Sequence, residues 1–317
     1  MEPANISENN LHKKILKLMG NRFEITVVHS DQSFAEDCIE TAVAEISRIE
    51  QLLTTFKDTS QTNQVNAMAG IRPVQVDKEV FDLIYRSKKI SHLTQGAFDI
   101  SYGSIDKAFW NFDTTITSLP DAQKAKQSVR LINYNNIILN EKESSIFLKE
   151  KGMRIGFGGI GKGYAADRAR QVLIEKGILN GVVNAAGDLT TLGNQPNGQP
   201  WTVGIADPDS KYHPFSQLAI SNKAVATSGN YEKFVIIGGK KYSHTIDPKT
   251  GFPVSGIKSV TIISPSAELA DAMTTPVMVM GIKAGLDMIN QLKELACIII
   301  DDNNKLYTSN NVNITDI

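Results

Sequence analysis

Two cysteines in 317 residues, Cys38 and Cys297, are too few for a disulfide framework or a thiolate zinc site. Cys38 falls in a helical pattern and Cys297 in a strand pattern, both apolar, so both read as core thiols. Excess charge of either sign is also missing. With 33 Lys plus Arg against 34 Asp plus Glu, no broad basic field exists to hold a nucleic-acid backbone or an anionic membrane surface, and nucleic acid is excluded as a partner. The longest apolar run beyond the N-terminal segment, residues 276–282, is far shorter than the roughly 20 residues of a membrane span. Residues 1–17 are polar, residues 15–19 are too short and too charged for a signal-peptide core, and no lipid-anchor cysteine follows. The sequence therefore reads as cytoplasmic, or periplasmic if the chain is processed or trimmed. What is present is an apolar fraction of 41%, enough for a substantial core.

Hydrophobic spacing supplies the elements. Residues 24–28 read as a strand, after which Phe34, Cys38, Ile39, Ala42, Val43, Ile46, Ile49 and Leu53 recur at helical period. A second helix carries Val80, Phe81, Ile84 and Ile90 between an N-cap at Asp77 and a glycine stop at Gly96. Residues 135–139 and 144–149 form a hairpin pattern, and residues 165–176 a helix. Strand patterns dominate from 182 to 263, two helical stretches cover 269–280 and 283–292, and a last strand spans 296–300. Elements in blocks, without strict alternation, predict an α+β fold rather than a doubly wound parallel sheet.

Two segments carry chemistry. The run Tyr242-Ser243-His244-Thr245-Ile246-Asp247-Pro248-Lys249-Thr250-Gly251 offers a histidine whose ordinary pKa of about 6.5 suits proton transfer near neutrality. Asp247 in that run reads as a turn cap. Farther on, Ala270-Asp271-Ala272-Met273-Thr274-Thr275 spaces Asp271 and Thr275 one helical turn apart, so a carboxylate and a hydroxyl share a face, as a hard cation such as Mg2+ requires. Together they point to phosphate chemistry.

The cluster Gly156-Phe157-Gly158-Gly159-Ile160-Gly161-Lys162-Gly163 matches a dinucleotide fingerprint, with Asp188 as the ribose acid, and also a P-loop. Against the first, the preceding residues include Lys151 and Arg154 and do not read as a buried central strand. Against the second, Gly163 stands where a metal-binding Ser or Thr is needed. Two readings need no special motif. Small residues let backbone approach a ligand while Lys162 neutralises phosphate, or they form a glycine-rich turn that packs a helix against a sheet.

In this order the segments resemble the ApbE family, the FAD:protein FMN transferases. The resemblance runs from about Leu18 to Leu306. It rests on Met19-Gly20, Gly96-Ala97-Phe98-Asp99, residues 159–167, Asn184-Ala185-Ala186-Gly187-Asp188, Thr227-Ser228-Gly229, and the two segments above. It implies an α+β, T-fold-like layout of mixed or antiparallel sheets with packed helices over residues 18–308, in one unit or two lobes, flanked by a polar segment 1–17 and a polar tail 309–317. It implies cleavage of the FAD pyrophosphate, transfer of FMN through its phosphate to a Thr or Ser hydroxyl of a target flavoprotein with a Ser/Thr-Gly-Ala-Ser/Thr motif, release of AMP, and Mg2+ as cofactor. On that resemblance Asp271, Thr275 and the Gly159 carbonyl hold the metal, with Thr274 a further contact. Met19, Phe56, Ala97, Phe98, Asp99, Lys162 and Thr245 meet FAD, Phe56 by stacking, and His244 and Asp271 act in catalysis. The chain departs from the family pattern at Gly156, where an Asp is frequent, at Phe56, where a Tyr is common, and at Pro276, where a late or kinked metal-bearing helix is expected. An FAD pyrophosphatase or a flavin carrier are the alternatives. No acceptor motif occurs in the chain itself.

Overall fold

A helix of 22 residues, α1 (Gln32–Leu53), buries Ala35, Cys38, Ile39, Ala42, Ile46, Ile49 and Leu53 along one stripe, and Asp31 caps its start by accepting the Phe34 N–H. It leans on the end of an eight-stranded sheet. This is a computed structural model, and it describes residues 10–106, 118–207, 210–229 and 234–312. Residues 1–9 of the polar N-terminal segment and 313–317 of the tail lie outside them.

The sheet begins with β1 (Leu11–Leu18) and β2 (Asn21–Val28), joined by a two-residue turn in which Met19 and Gly20 both have positive φ, as a twisted hairpin demands. β1 occupies residues that the sequence reading places in the polar flanking segment. Lys13, Lys14 and Lys17 fall on both faces of this edge strand, and Leu11 and Ile15 on its open one, which hides the period-2 signal. Next come β3 (Val74–Gln75), β4 (Ile137–Asn140) and β5 (Ser145–Leu148), a small separate sheet. The remaining strands are β6 (Gly181–Ala185), β7 (Asp188–Leu192), β8 (Trp201–Asp207), β9 (Ser210–Ile220), β10 (Ala224–Gly229), β11 (Phe234–Ile237), β12 (Lys240–Ser243), β13 (Ile257–Ser264), β14 (Ala296–Asp301) and β15 (Leu306–Thr308). The large sheet has the order β1-β2-β6-β7-β10-β13-β14-β15, with every neighbouring pair antiparallel.

One face of this sheet carries the helices. α1 packs beside α5 (Gly161–Glu175), and α5 beside α6 (Ala267–Met280), with α7 (Ile282–Asn290) following. The remaining helices are α2 (Gln61–Ala67), beside α1, α3 (Lys78–Leu93), beside α6, and α4 (Ala122–Ser128). Phe23, Ile25, Ile46, Ile49, Ala165, Ala166, Ile262 and Met273 are fully buried between the layers. The β8–β9 ribbon covers the other face, where Val203, Ile205, Leu218 and Ile220 meet Leu189, Val225, Ile263 and Ile298. β13 and β14, covered on both faces, are buried throughout, β13 with Lys258, Ser259, Thr261 and Ser264 among its buried residues. Both cysteines lie in this interior, where burial pushes the Cys38 thiol up and Cys297 up to about 12, so neither is a reactive thiolate. The predicted α+β class with antiparallel sheets is the one observed.

α3 ends in a Schellman closure: Gly96 N–H donates to Ser91 O at 2.7 Å and Gln95 N–H to His92 O at 3.1 Å. Gln95 and Gly96 both carry positive φ there, which turns the chain sharply and delivers Ala97, Phe98 and Asp99 to the helical side.

Candidate active site

α5 starts inside the glycine cluster, four residues before the apolar pattern predicts it. Its first N–H groups lack intrahelical acceptors, and Ile160 at the N-cap has no side chain to supply one. Asp271, on α6, supplies it: Gly163 N–H donates to Asp271 Oδ2 at 3.1 Å. A β-carbon on Gly163 would lie 2.1 Å from the Ala267 carbonyl oxygen and 2.9 Å from Asp271 Cβ, so only glycine permits this crossing of the two helices. The dinucleotide and P-loop alternatives both fail. Residues 151–160 form turns and coil rather than a strand, and the sheet is antiparallel.

Lys162 stands between two carboxylates. Its Nζ is 2.6 Å from Asp188 Oδ2 and 3.5 Å from Asp271 Oδ1. Burial disfavours the ammonium, but Asp271 and Asp188 outweigh it and hold Lys162 above the usual lysine range. Burial, then the charge of Asp271, pushes Asp188 up to about 7, and burial also raises Asp271. When both are ionised, the two buried carboxylates share one ammonium, which leaves one negative charge for a proton or a cation to match.

Thr275 lies next to the cluster. A β-carbon on Gly159 would be 3.6 Å from Thr275 Oγ1 and 3.6 Å from Phe98 Cε2, and one on Gly161 would be 3.8 Å from Met19 Cε. The described contacts therefore bring Met19, Phe98, Gly159, Lys162, Asp188, Asp271 and Thr275 to the mouth of α5. Asp271 and Thr275 stay on one helix, because α6 runs through Pro276 from its start at Ala267. Carboxylate, hydroxyl and backbone carbonyl are all hard oxygen donors, and with the unmatched charge they fit a cation such as Mg2+. Thr274 turns elsewhere. Its Oγ1 donates to the Asp271 carbonyl oxygen at 2.8 Å and is 2.7 Å from Ser228 Oγ, which fastens α6 to β10.

The other expected residues each have local surroundings of their own. Asp99 is buried, and both its oxygens serve the chain: Oδ1 accepts from Ser101 N–H and Oγ–H at 2.8 and 2.6 Å, and Oδ2 from Tyr134 N–H at 2.8 Å. Burial raises its pKa against those three donors. Ala97 and Phe98 are buried beside it. Phe56, just past the end of α1, is 96% exposed, an aromatic face with no core role. His244 is exposed directly after β12, and Thr245 is half-buried with its N–H on Ser243 Oγ. Asp247 closes the following turn by accepting from Lys249 N–H and Thr250 Oγ1–H, as a capping residue does. That turn lies hard against α4: Gly251 has φ +77°, and a β-carbon there would sit 1.9 Å from the Ala125 carbonyl oxygen.

Three residues matter here whose roles sequence spacing does not reveal. Asp188 enters the sequence reading only inside a motif and as a ribose acid. Tyr102 accepts the Ile246 N–H at 3.2 Å and so ties the histidine run to the turn that Asp99 caps. Asp167, on α5, accepts both Ala267 N–H (2.9 Å) and Glu268 N–H (2.8 Å), capping α6 from a neighbouring helix. Burial pushes Asp167 up to about 6, yet those two donors keep it useful as an acceptor at neutrality. Asp167→Ala is expected to lower stability by about 1–2 kcal/mol, the cost of a lost helix cap, read as a shift in urea midpoint. A midpoint unchanged from wild type would contradict that role. Arg86 adds a second clamp, reaching Glu268 through two bonds of 2.6 and 3.0 Å.

Known proteins share this arrangement of chain. The chain is 30% identical to the FAD:protein FMN transferase of Klebsiella pneumoniae (strain 342) over 306 residues, 96% of this chain and 93% of that one. It is 28% identical to the enzyme of the same name from Escherichia coli (strain K12) over 285 residues, 87% and 80% of the two chains. The crystal structure of the ApbE protein of Thermotoga maritima superposes with a TM-score of 0.85 at 28% identity, covering 95% of this chain and 97% of that one. The flavinyl transferase ApbE of Pseudomonas stutzeri, at 22% identity and a TM-score of 0.80 over 95% of both chains, shares the fold. The ApbE family model matches residues 19–299, a span that contains the whole α5 and α6 junction, and the chain belongs to the ApbE family.

Proposed function

We propose that this protein is an FAD:protein FMN transferase that uses Mg2+ and moves FMN onto a Thr or Ser hydroxyl of an acceptor flavoprotein. The observation that carries this reading is the oxygen set of Asp271, Thr275 and Gly159 beside the Lys162 ammonium, at the start of a helix, in a chain of this family. Asp271, Thr275 and the Gly159 carbonyl would hold the cation. When bound, it offsets negative charge that builds on the pyrophosphate oxygens.

The chain's own groups supply the rest. Lys162 presents a half-buried, protonated ammonium to phosphate, and the N-terminus of α5 adds the partial positive charge of its helix dipole. Phe56 offers a solvent-facing ring for the isoalloxazine to stack on. His244 takes the proton of the acceptor hydroxyl, whose oxygen forms a bond to the FMN phosphorus as the bond from that phosphorus to the bridging oxygen breaks. AMP leaves with the bridging oxygen. The acceptor is a flavoprotein segment of Ser/Thr-Gly-Ala-Ser/Thr type.

Incubation with FAD, Mg2+ and an acceptor carrying that segment tests the proposal. A covalently fluorescent acceptor band and an equal amount of AMP are expected. FMN and AMP released at the same rate with or without acceptor would make the protein a pyrophosphatase, and FAD intact after hours would make it a carrier. Phe56→Ala should weaken FAD binding about three- to tenfold, the worth of an aromatic pair, with the melting temperature unchanged because the ring packs against nothing. Unaltered affinity in a fluorescence-quenching titration would remove Phe56 from the site.

A further inference from the structure

Asp188 has no assigned task in that chemistry, yet its carboxylate is the one nearest the Lys162 ammonium. It is held rigidly. Asp188 opens β7 opposite Ala185, across a two-residue turn in which Ala186 and Gly187 have φ of 55° and 99° and Gly187 N–H donates to Asn184 Oδ1 at 2.9 Å. β7 is paired on both sides, to β6 along its length and to β10 at Leu189 and Thr190, so the backbone that bears the carboxylate is held by the sheet while Lys162 and Asp271 belong to helices. The ammonium lies 0.9 Å closer to Asp188 than to Asp271 (3.5 Å less 2.6 Å).

A tethered ammonium and a divalent cation compete for the same Asp271 oxygen. With Asp188 present, Lys162 has a counter-charge of its own and Asp271 can be shared with a cation. Without it, Asp271 would be the remaining partner among the described ion pairs of Lys162, and the ammonium would close on it. We infer that Asp188 is a positioning residue that draws the Lys162 ammonium off Asp271, keeping that carboxylate open to the cation and the ammonium aimed at phosphate. This rests on the proposed transferase reading only for the identity of the cation and the phosphate. It requires no change in protonation.

Direct Mn2+ titration, followed by the loss of the free ion's electron paramagnetic resonance signal without FAD, tests it on wild type, Asp188→Asn, and the double variant Asp188→Asn with Lys162→Met. Asn matches Asp in shape, and thermal melts report whether each protein folds. Asp188→Asn is expected to weaken Mn2+ binding about ten- to a hundredfold, as losing an outer partner of a metal ligand does. The double variant, with no ammonium left to occupy Asp271, should return toward wild-type Mn2+ affinity while FAD binding stays weak. That reversal separates positioning from a merely structural role, under which the second substitution would restore nothing. If Asp188→Asn does not fold, the double variant, neutral where the pair was buried and charged, is compared with Lys162→Met alone. Similar Mn2+ affinities then support the proposal, and a double variant much weaker than Lys162→Met overturns it. Asp188→Asn titrating like wild type, or a double variant as weak as the single one, also overturns it while leaving the transferase reading intact. Wild type that binds no Mn2+ would overturn both.

Discussion

Asparagine in place of Asp271 should lower flavin transfer on the order of a thousandfold, because a cation's charge stabilisation is worth several kcal/mol and each ~1.4 kcal/mol is tenfold in rate. The fold should survive. Asn can still accept the Gly163 N–H, and removing one of two carboxylates around Lys162 relieves a buried excess of negative charge. Single-turnover AMP release beside a thermal melt separates the two effects. Transfer within tenfold of wild type, in a protein that melts normally, would mean that Asp271 is a helix cap and nothing more. Thr275→Ala provides the companion measurement: it removes a hydroxyl and no charge, so a smaller loss, partly recovered at high Mg2+, is expected.

The other large effect belongs to a residue with no side chain. Gly163→Ala places a methyl group 2.1 Å from a backbone oxygen and 2.9 Å from Asp271 Cβ, and neither obstacle is the flexible end of a side chain. α5 and α6 must separate for it to fit. Overpacking of this kind costs about 1–3 kcal/mol, and more where backbone must move. Both stability and transfer should fall, since the shift carries Asp271 away from Lys162 and from the amide it caps. The combination is diagnostic: Asp271→Asn loses activity and keeps stability, while Gly163→Ala loses both. A Gly163→Ala protein with wild-type urea midpoint would show that the helices approach less closely than 2.1 Å implies.

Much of this could be read from local pattern, and the failures have a common cause. α1 was legible because seven core residues repeat at helical period over 22 positions. Gly96 was legible as a stop because glycine takes the positive φ that follows the helix here, directly after Gln95 in the left-handed position of the Schellman closure. β1 was not, since Lys13, Lys14 and Lys17 on an open edge mask its alternation, and α2 is too short to establish a period. At the site, the spacing of Asp271 and Thr275 gave their shared face correctly. What spacing does not contain is the long-range partner. The pairing of Lys162 with Asp188 across 26 residues and the capping of α6 by Asp167 across 100 both depend on how α5 meets the sheet and α6. Asp99 is a further case. Its place in a motif suggested a ligand contact, and spacing gave no sign that its oxygens also accept from Ser101 and Tyr134.

Because Asp167 holds the first amides of α6 from another helix, the two helices that bear Lys162 and Asp271 cannot loosen independently. The amide protons of Ala267 and Glu268 exchange with solvent only when α5 lifts away. Their deuterium uptake therefore clocks how often the phosphate-facing and cation-facing halves of the pocket part company.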